Sequence, residues 1–105
     1  MSSMNRVMIL AMLALSACTW VEPTKAGVNV RVAYLSQVDG CKELGKATVS
    51  VLDKVLFISR SKEEVADELE TSGQNAAAEM GGDTIVAMSR VVDGEQVFRV
   101  YRCRQ

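Results

Sequence analysis

The sequence predicts an α+β fold in which one helix packs on a mostly antiparallel four-stranded sheet, in the order strand, strand, helix, strand, strand. Three observations carry this prediction. Two stretches, starting near Val28 and Gly45, alternate apolar and polar residues with the period of two expected of half-buried strands. After Ser61 the apolar residues switch to helical spacing. Near the end, Asp93-Gly94 separates two apolar arms, a hairpin signal because a type I′ turn needs positive φ at both loop positions.

Taken in order, Val28, Val30 and Val32 alternate with Asn29 and Arg31, predicting a strand to about Leu35. Ser36 to Lys42, with Asp39-Gly40, is a turn. The second strand runs from Gly45 to about Leu52, with Ala47, Val49 and Val51 on one face and Lys46, Thr48 and Ser50 on the other. Val55 to Ile58 is a further apolar run, either an extension of that strand or a hydrophobic lead into the helix. Ser61, followed three residues later by Glu64, is a capping box and starts the helix. Val65, Leu69, Gly73, Ala76, Ala77 and Met80 form its apolar stripe, and Glu63, Glu64, Asp67, Glu68 and Glu70 load the opposite face and first turns. Gly73 costs about 1 kcal/mol relative to Ala in a helix interior, so its place on the stripe implies close approach to the sheet. Gly81-Gly82 supplies a left-handed stop.

Thr84 to Val92 and Glu95 to Cys103 are the arms of the hairpin, with Val92 opposite Glu95. This places Ile85, Ala87 and Val91 with Phe98 and Val100 on the helix side. Val86, Met88 and Tyr101 share the other face with Arg90 and Arg99. The strand-helix-strand step is expected to be a right-handed crossover.

Ahead of this domain, residues 1–27 carry an address. Met1 to Arg6 has one positive charge, Val7 to Leu15 is unbroken apolar sequence, and Ser16-Ala17 is small, the three-part grammar of a secretory signal. The apolar run is far short of the roughly 20 residues a membrane-spanning helix needs. Leu15-Ser16-Ala17-Cys18 resembles the lipobox of bacterial lipoproteins. In these the Cys thiol takes a diacylglycerol thioether, the signal is cut just before it, and the new amine is acylated. The expected organisation is a signal peptide over 1–17, a lipid-anchored tether over 18–27 containing the single proline, Pro23, and one domain over 28–105. Nine extended residues span at most about 30 Å, which keeps the domain close to its membrane. Trp20 either rests among headgroups or packs on the domain.

The chain has 12 basic and 13 acidic residues and no histidine. Cleavage before Cys18 removes only Arg6 from these, leaving a net charge of −2. Nucleic acid is not an expected partner at that charge. Without histidine the usual general base and the usual metal ligand are missing. No cysteine pair has metal spacing and no loop has the EF-hand pattern, so neither metal nor cofactor is expected. Ser59-Arg60-Ser61-Lys62 matches the Ser-x-x-Lys of penicillin-recognising acylases, but their other motifs are missing and helix capping accounts for the segment. The Glu63 to Glu70 acids read as a solvated helix face rather than paired catalytic carboxylates. Gly81-Gly82-Asp83 ends a helix, the reverse of a dinucleotide fingerprint. Arg90, Arg99, Arg102 and Arg104 lie on or after one hairpin, a candidate site for lipid phosphates or anionic glycans, set against a solvated face and a basic tail.

With Cys18 committed to lipid, Cys41 and Cys103 remain. An even remainder in an oxidising envelope compartment suggests one disulfide, with two buried free thiols as the alternative.

The lipobox, the Val-x-Val strand, Gly40-Cys41, Leu44-Gly45, the run Asn75-Ala76-Ala77 through Met80-Gly81-Gly82-Asp83-Thr84-Ile85-Val86, and the strand closing on Cys103 together resemble the YjeI-like family of small Gram-negative lipoproteins, a domain of unknown function. More distantly, the helix-Gly-strand core is similar to the RcsF stress-sensor lipoprotein and to the YbjQ-like fold. The chain departs from that sensor in its short tether and single candidate disulfide. These readings converge on a non-enzymatic lipoprotein, held by Cys18 at the periplasmic face of the outer membrane and binding or sensing an envelope protein or glycan. A small hydrolase or transferase using Ser59 or the acidic cluster, and a structural self-assembling module, are the alternatives. Outer-membrane residence follows from Thr19 standing where an Asp would resemble an inner-membrane retention signal. Inner-membrane residence is the alternative.

Overall fold

A computed structural model of the chain describes residues 21–52, 54–55 and 58–104, with backbone alone at 54–55 and 58–59. The strands are β1 (Arg31–Val32), β2 (Lys42–Ser50), β3 (Lys54–Val55), β4 (Ile58–Ser59), β5 (Thr84–Ala87) and β6 (Glu95–Arg102). The helix α1 (Lys62–Glu79) lies between β4 and β5.

Among the described residues the expected α-helix and four-stranded sheet are present, but the sheet is mixed: two of its three pairings are antiparallel and one, that of β1 with β5, is parallel. Its order is β1-β5-β6-β2, with β1 parallel to β5 and β6 antiparallel to both neighbours. Three strands therefore run one way with β6 reversed between β5 and β2, and the step from β2 through α1 to β5 skips one strand. Between β2 and α1 the apolar run forms a separate two-stranded ladder, β3 with β4, pairing Val55 with Ile58.

The first strand is shorter than the valine alternation suggests, for a local reason. Thr24 captures the chain ahead of it: its hydroxyl accepts the Gly27 N–H at 2.9 Å and its carbonyl accepts the Val28 N–H at 3.1 Å. Gly27–Asn29 is thereby drawn into a turn of 3-10 helix. Of the three valines only Val30 is buried. Two residues of strand follow, and the Gln37 side chain then accepts the Tyr34 N–H at 2.9 Å and holds a second 3-10 turn, Leu35–Gln37.

The helix starts and stops where its sequence says. Ser61 Oγ accepts the Glu64 N–H at 3.4 Å, while the Glu64 carboxylate lies 3.9 Å from Arg60 instead of returning to Ser61. At the other end the Gly82 N–H donates to Ala77 O and the Gly81 N–H to Ala78 O, with Gly81 at φ 80°, the paired bonds of a Schellman stop. Val65, Leu69, Gly73 and Ala77 are buried. A Cβ on Gly73 would fall 2.7 Å from Phe98 Cδ2, so the missing side chain sets how closely α1 approaches β6. Met80, expected on the stripe, is exposed at the C-cap just before the stop.

One core lies between helix and sheet, built from Val30, Ala47, Ala77, Ile85, Phe98 and Val100. Each fully buried aliphatic side chain of this kind stabilises the fold by about 1.5–3 kcal/mol. A smaller cluster, Ala33, Val38, Val86 and Tyr101, lies on the opposite face with Cys41 and Cys103 packed against it. The connection from β1 to β2 covers this second cluster.

The hairpin turn has the expected form, with Asp93 at φ 50°, Gly94 at φ 72° and Val92 bridged to Glu95. Further along, the ladder pairs Ile85 with Val100 and Ala87 with Phe98, a register offset by two residues from that of the turn. The extra residues lie between Met88, whose N–H still donates to Val97 O, and Val92. Ser89 stabilises this bulge by accepting the Val97 N–H at 2.9 Å through its hydroxyl and the Gln96 amide at 3.1 Å through its carbonyl. Because the offset is even, Ile85, Phe98 and Val100 remain on the helix side, as expected from alternation.

Candidate functional site

The C-terminal end of α1 is where both ends of the domain meet. Asn75, one turn from the helix stop, accepts the Thr24 N–H at 3.0 Å and the Thr24 hydroxyl at 3.2 Å through Oδ1, and donates from Nδ2 to Glu22 O at 2.9 Å. Gly27 lies so close to Asn75 that a Cβ there would overlap its side-chain oxygen. The segment expected to be a tether is therefore part of the folded unit from Glu22 onward. Cys18 itself lies outside the described residues.

Asp83, directly after the stop, gathers the C-terminal end. Its carboxylate accepts the Cys103 and Arg104 N–H groups at 2.8 Å each and the Thr84 hydroxyl at 2.9 Å. Burial alone would raise its pKa, but these bonds and the nearby Arg104 charge outweigh that and hold it below the ordinary carboxylate value. The Asp83 backbone also joins the sheet, its carbonyl accepting the Arg31 N–H at 2.9 Å. Arg104 Nη1 reaches Asn29 O at 3.2 Å. Neither Asn75 nor Asp83 stands out in the sequence as more than a helix residue and a post-cap acid, since their partners are distant along the chain.

The two remaining cysteines come together. Cys41 precedes Lys42 and Cys103 follows Arg102, and Lys42 is the register partner of Arg102, so the cysteines occupy the next position of the β2–β6 ladder. Their Cα atoms are 4.5 Å apart and their sulfurs 2.08 Å apart, a disulfide-compatible pair.

The candidate arginines occupy different places on and beside the hairpin. Arg99 and Arg102, three residues apart on β6, point to opposite faces. Arg102 Nε donates to Gly81 O at 3.0 Å, adding a cation to the helix stop. Arg99 Nε lies 3.0 Å from Glu43 Oε1 but, among the described residues, out of line for a hydrogen bond. Arg90 is exposed in the hairpin bulge.

Of the acidic stretch, Glu68 is drawn into structure. Both of its carboxylate oxygens accept from Arg60, whose Nη1 also donates to Leu52 O at 3.0 Å. The hydrogen bond from Arg60 lowers the Glu68 pKa against an opposing effect of burial. This pair straps the chain after β2 to the first half of α1. Ser59 closes β4 with its side chain outside the described residues, and Lys62 is exposed at the start of α1.

Two open grooves are present among the described residues. One, of about 530 Å³, runs between the covering loop and the outer sheet face, lined by Leu35, Val38, Asp39, Cys41, Glu43 and Tyr101 among others. The other, of about 390 Å³, follows the hairpin bulge at Ser89, Arg90, Asp93 and Gln96. Among the described residues no group of three or more His, Cys, Asp or Glu side chains is placed to hold a metal, and no helix is long and apolar enough to cross a membrane.

Residues 21–103 match the model of a protein family described as a domain of unknown function, DUF4156. No curated protein and no solved structure matches the chain.

Proposed function

The chain belongs to the DUF4156 family, and from that premise we propose that it is a non-enzymatic envelope lipoprotein. In this reading it is anchored through Cys18 to the periplasmic face of the outer membrane and binds or senses an envelope protein or glycan. The observation that carries the reading is the distance between anchor and domain. The Leu15-Ser16-Ala17-Cys18 lipobox ends four residues before Glu22, where the contacts of the folded unit begin. Such a chain is built to hold its domain against a surface. Several acyl chains, at about 0.8 kcal/mol for each buried CH₂, make that attachment effectively permanent. The likeness to the YjeI-like lipoproteins supports the same reading. So does the disulfide-compatible pair Cys41 and Cys103, which suits an oxidising compartment.

Labelled fatty acid should enter the wild-type chain, and the Cys18→Ser variant should remain an uncut, unlipidated precursor. Incorporation into that variant would refute Cys18 as the site. Fractionation with the inner membrane would overturn the outer-membrane assignment, and turnover of an envelope substrate lost on Ser59→Ala would overturn the non-enzymatic one. Crosslinking in intact cells is the direct route to the partner.

A further inference from the structure

We infer that the edge of the domain at β1, carrying Val28, Val32, Tyr34 and Leu35, is a membrane-contact surface that rests on the lipid bilayer. The inference builds on the lipid anchor proposed at Cys18. Large apolar side chains are ordinarily scattered over a surface, yet these four are exposed within eight residues, Val28 by 59%, Val32 by 42%, Tyr34 by 79% and Leu35 by 57%. They lie on the segment that leads directly away from the anchor. Asn75 fixes Glu22 and Thr24 to α1, and the Val28 N–H donates back to Thr24 O, so Val28 leaves the fold where the tether enters it. Four residues from Cys18 to Glu22 span at most about 14 Å when fully extended. An acylated Cys18 in the bilayer therefore brings the start of this edge to the headgroup layer.

The side chains suit that layer. A tyrosine with aliphatic neighbours is the composition of a membrane-water interface, and exposed Lys25 and Arg31 stand beside them to meet anionic headgroups. A second copy of the chain is the competing occupant of an open sheet edge. With only Arg31–Val32 in the strand, however, β1 offers too short a ladder to hold one.

The test uses the full lipidated chain reconstituted in vesicles of phosphatidylethanolamine and phosphatidylglycerol. In a Trp20→Phe background, which removes the single natural tryptophan, a reporter is placed by Tyr34→Trp or Leu35→Trp. The control is Leu52→Trp, which is also exposed, at 72%, but sits beside Arg60 at the opposite end of α1. When the lipids carry dibrominated acyl chains, emission from the first two should fall and shift to the blue, while that of the control is unchanged. Equal quenching at all three positions, or none at Tyr34→Trp and Leu35→Trp, overturns the inference. So does a crosslinked second copy through β1 without quenching. The mass of the mature N-terminus is read on the same sample. An acylated chain without edge quenching refutes the surface and leaves the anchor standing, whereas an unacylated Cys18 refutes both.

Discussion

Replacing Gly73 with Ala tests the closest contact between helix and sheet, because two effects of opposite sign meet at one methyl group. On an open helix the substitution stabilises by about 1 kcal/mol. Here the added Cβ would lie 2.7 Å from Phe98 Cδ2 and 2.9 Å from Cε2. Ordinary carbon contacts are about 3.5–4.0 Å, so either the ring or the helix must move by roughly 1 Å. Phe98 is buried in the main core and is confined by its neighbours on β5 and β2. Overpacking of this kind costs about 1–3 kcal/mol, which exceeds or at best equals the propensity gain. The expected net effect is destabilisation by about 1 kcal/mol, a fall in melting temperature of roughly 4–8 °C for a domain of this size. Urea unfolding of the mature protein, with midpoint and slope fitted separately, measures it. In a Phe98→Leu background the same Gly73→Ala change should cost less or become favourable, since the clashing ring atoms are gone. A gain of about 1 kcal/mol from Gly73→Ala in the wild-type background would show that α1 does not lie this close to β6.

Three further outcomes follow from the contacts at the helix stop and from the cysteine pair. Converting Cys41 and Cys103 to Ser should cost about 4 kcal/mol on the chain-entropy account, given their separation of 62 residues. Two alkyl groups added to the unreduced wild type would show free thiols and end that account. Asp83 and Glu68 both have lowered pKa values in the fold. Their contribution is therefore complete above the unfolded carboxylate range and is lost as pH falls through the depressed folded values. Stability should decline below about pH 4, and Asp83→Asn should flatten that decline while costing about 1–3 kcal/mol at neutral pH; an unchanged acid profile in the variant would count against the carboxylate clamp. Asn75→Ala removes three hydrogen bonds to Glu22 and Thr24, so trypsin should cut after Lys25 about tenfold faster or more. Equal cutting rates would show that the segment is not held.

What was legible in the sequence is what local physics determines. Ser61, Gly81 and the Asp93-Gly94 turn each act through neighbours a few residues away or through a backbone angle, and each appears in the expected place; Gly73 was legible because a glycine on the apolar stripe leaves room for the sheet. The faces of β5 and β6 were legible for a similar reason: alternation survives an even register shift, although the bulge at Ser89 that causes the shift leaves no pattern of its own. The first strand is shorter than the valine alternation predicts because Thr24 and Gln37 draw the two ends of that stretch into 3-10 turns. Parallel pairing of β1 with β5 was not legible at all. It depends on where the loop over the second cluster takes the chain, and that is settled by Ala33, Val38, Val86 and Tyr101 meeting across long sequence separations. Proximity along β6 does not bring Arg99 and Arg102 to one face, and each has a nearer partner.

The connections around the helix stop also bear on how the fold would withstand the anchor proposed at Cys18. Domain termini are ordinarily the first parts to fray, and in a lipid-anchored protein the N-terminal one is also where the membrane pulls. Here that end is not left to its own weak contacts. Asn75 ties Glu22 and Thr24 to α1, the Arg31 N–H is bonded to Asp83 O, and Arg104 is bonded to Asn29 O. Asp83 in turn holds Cys103 and Arg104, and Cys103 sits opposite Cys41. A displacement at the tether is thus opposed by the helix, by the parallel strand pair and by the last strand together. None of these bonds is strong alone, at about 0.5–1.5 kcal/mol net. Because they join three elements at one corner, the N-terminal end opens only if several give way at once. The β1 edge, whose side chains remain exposed, is the part of this corner left available for contact with something outside the domain.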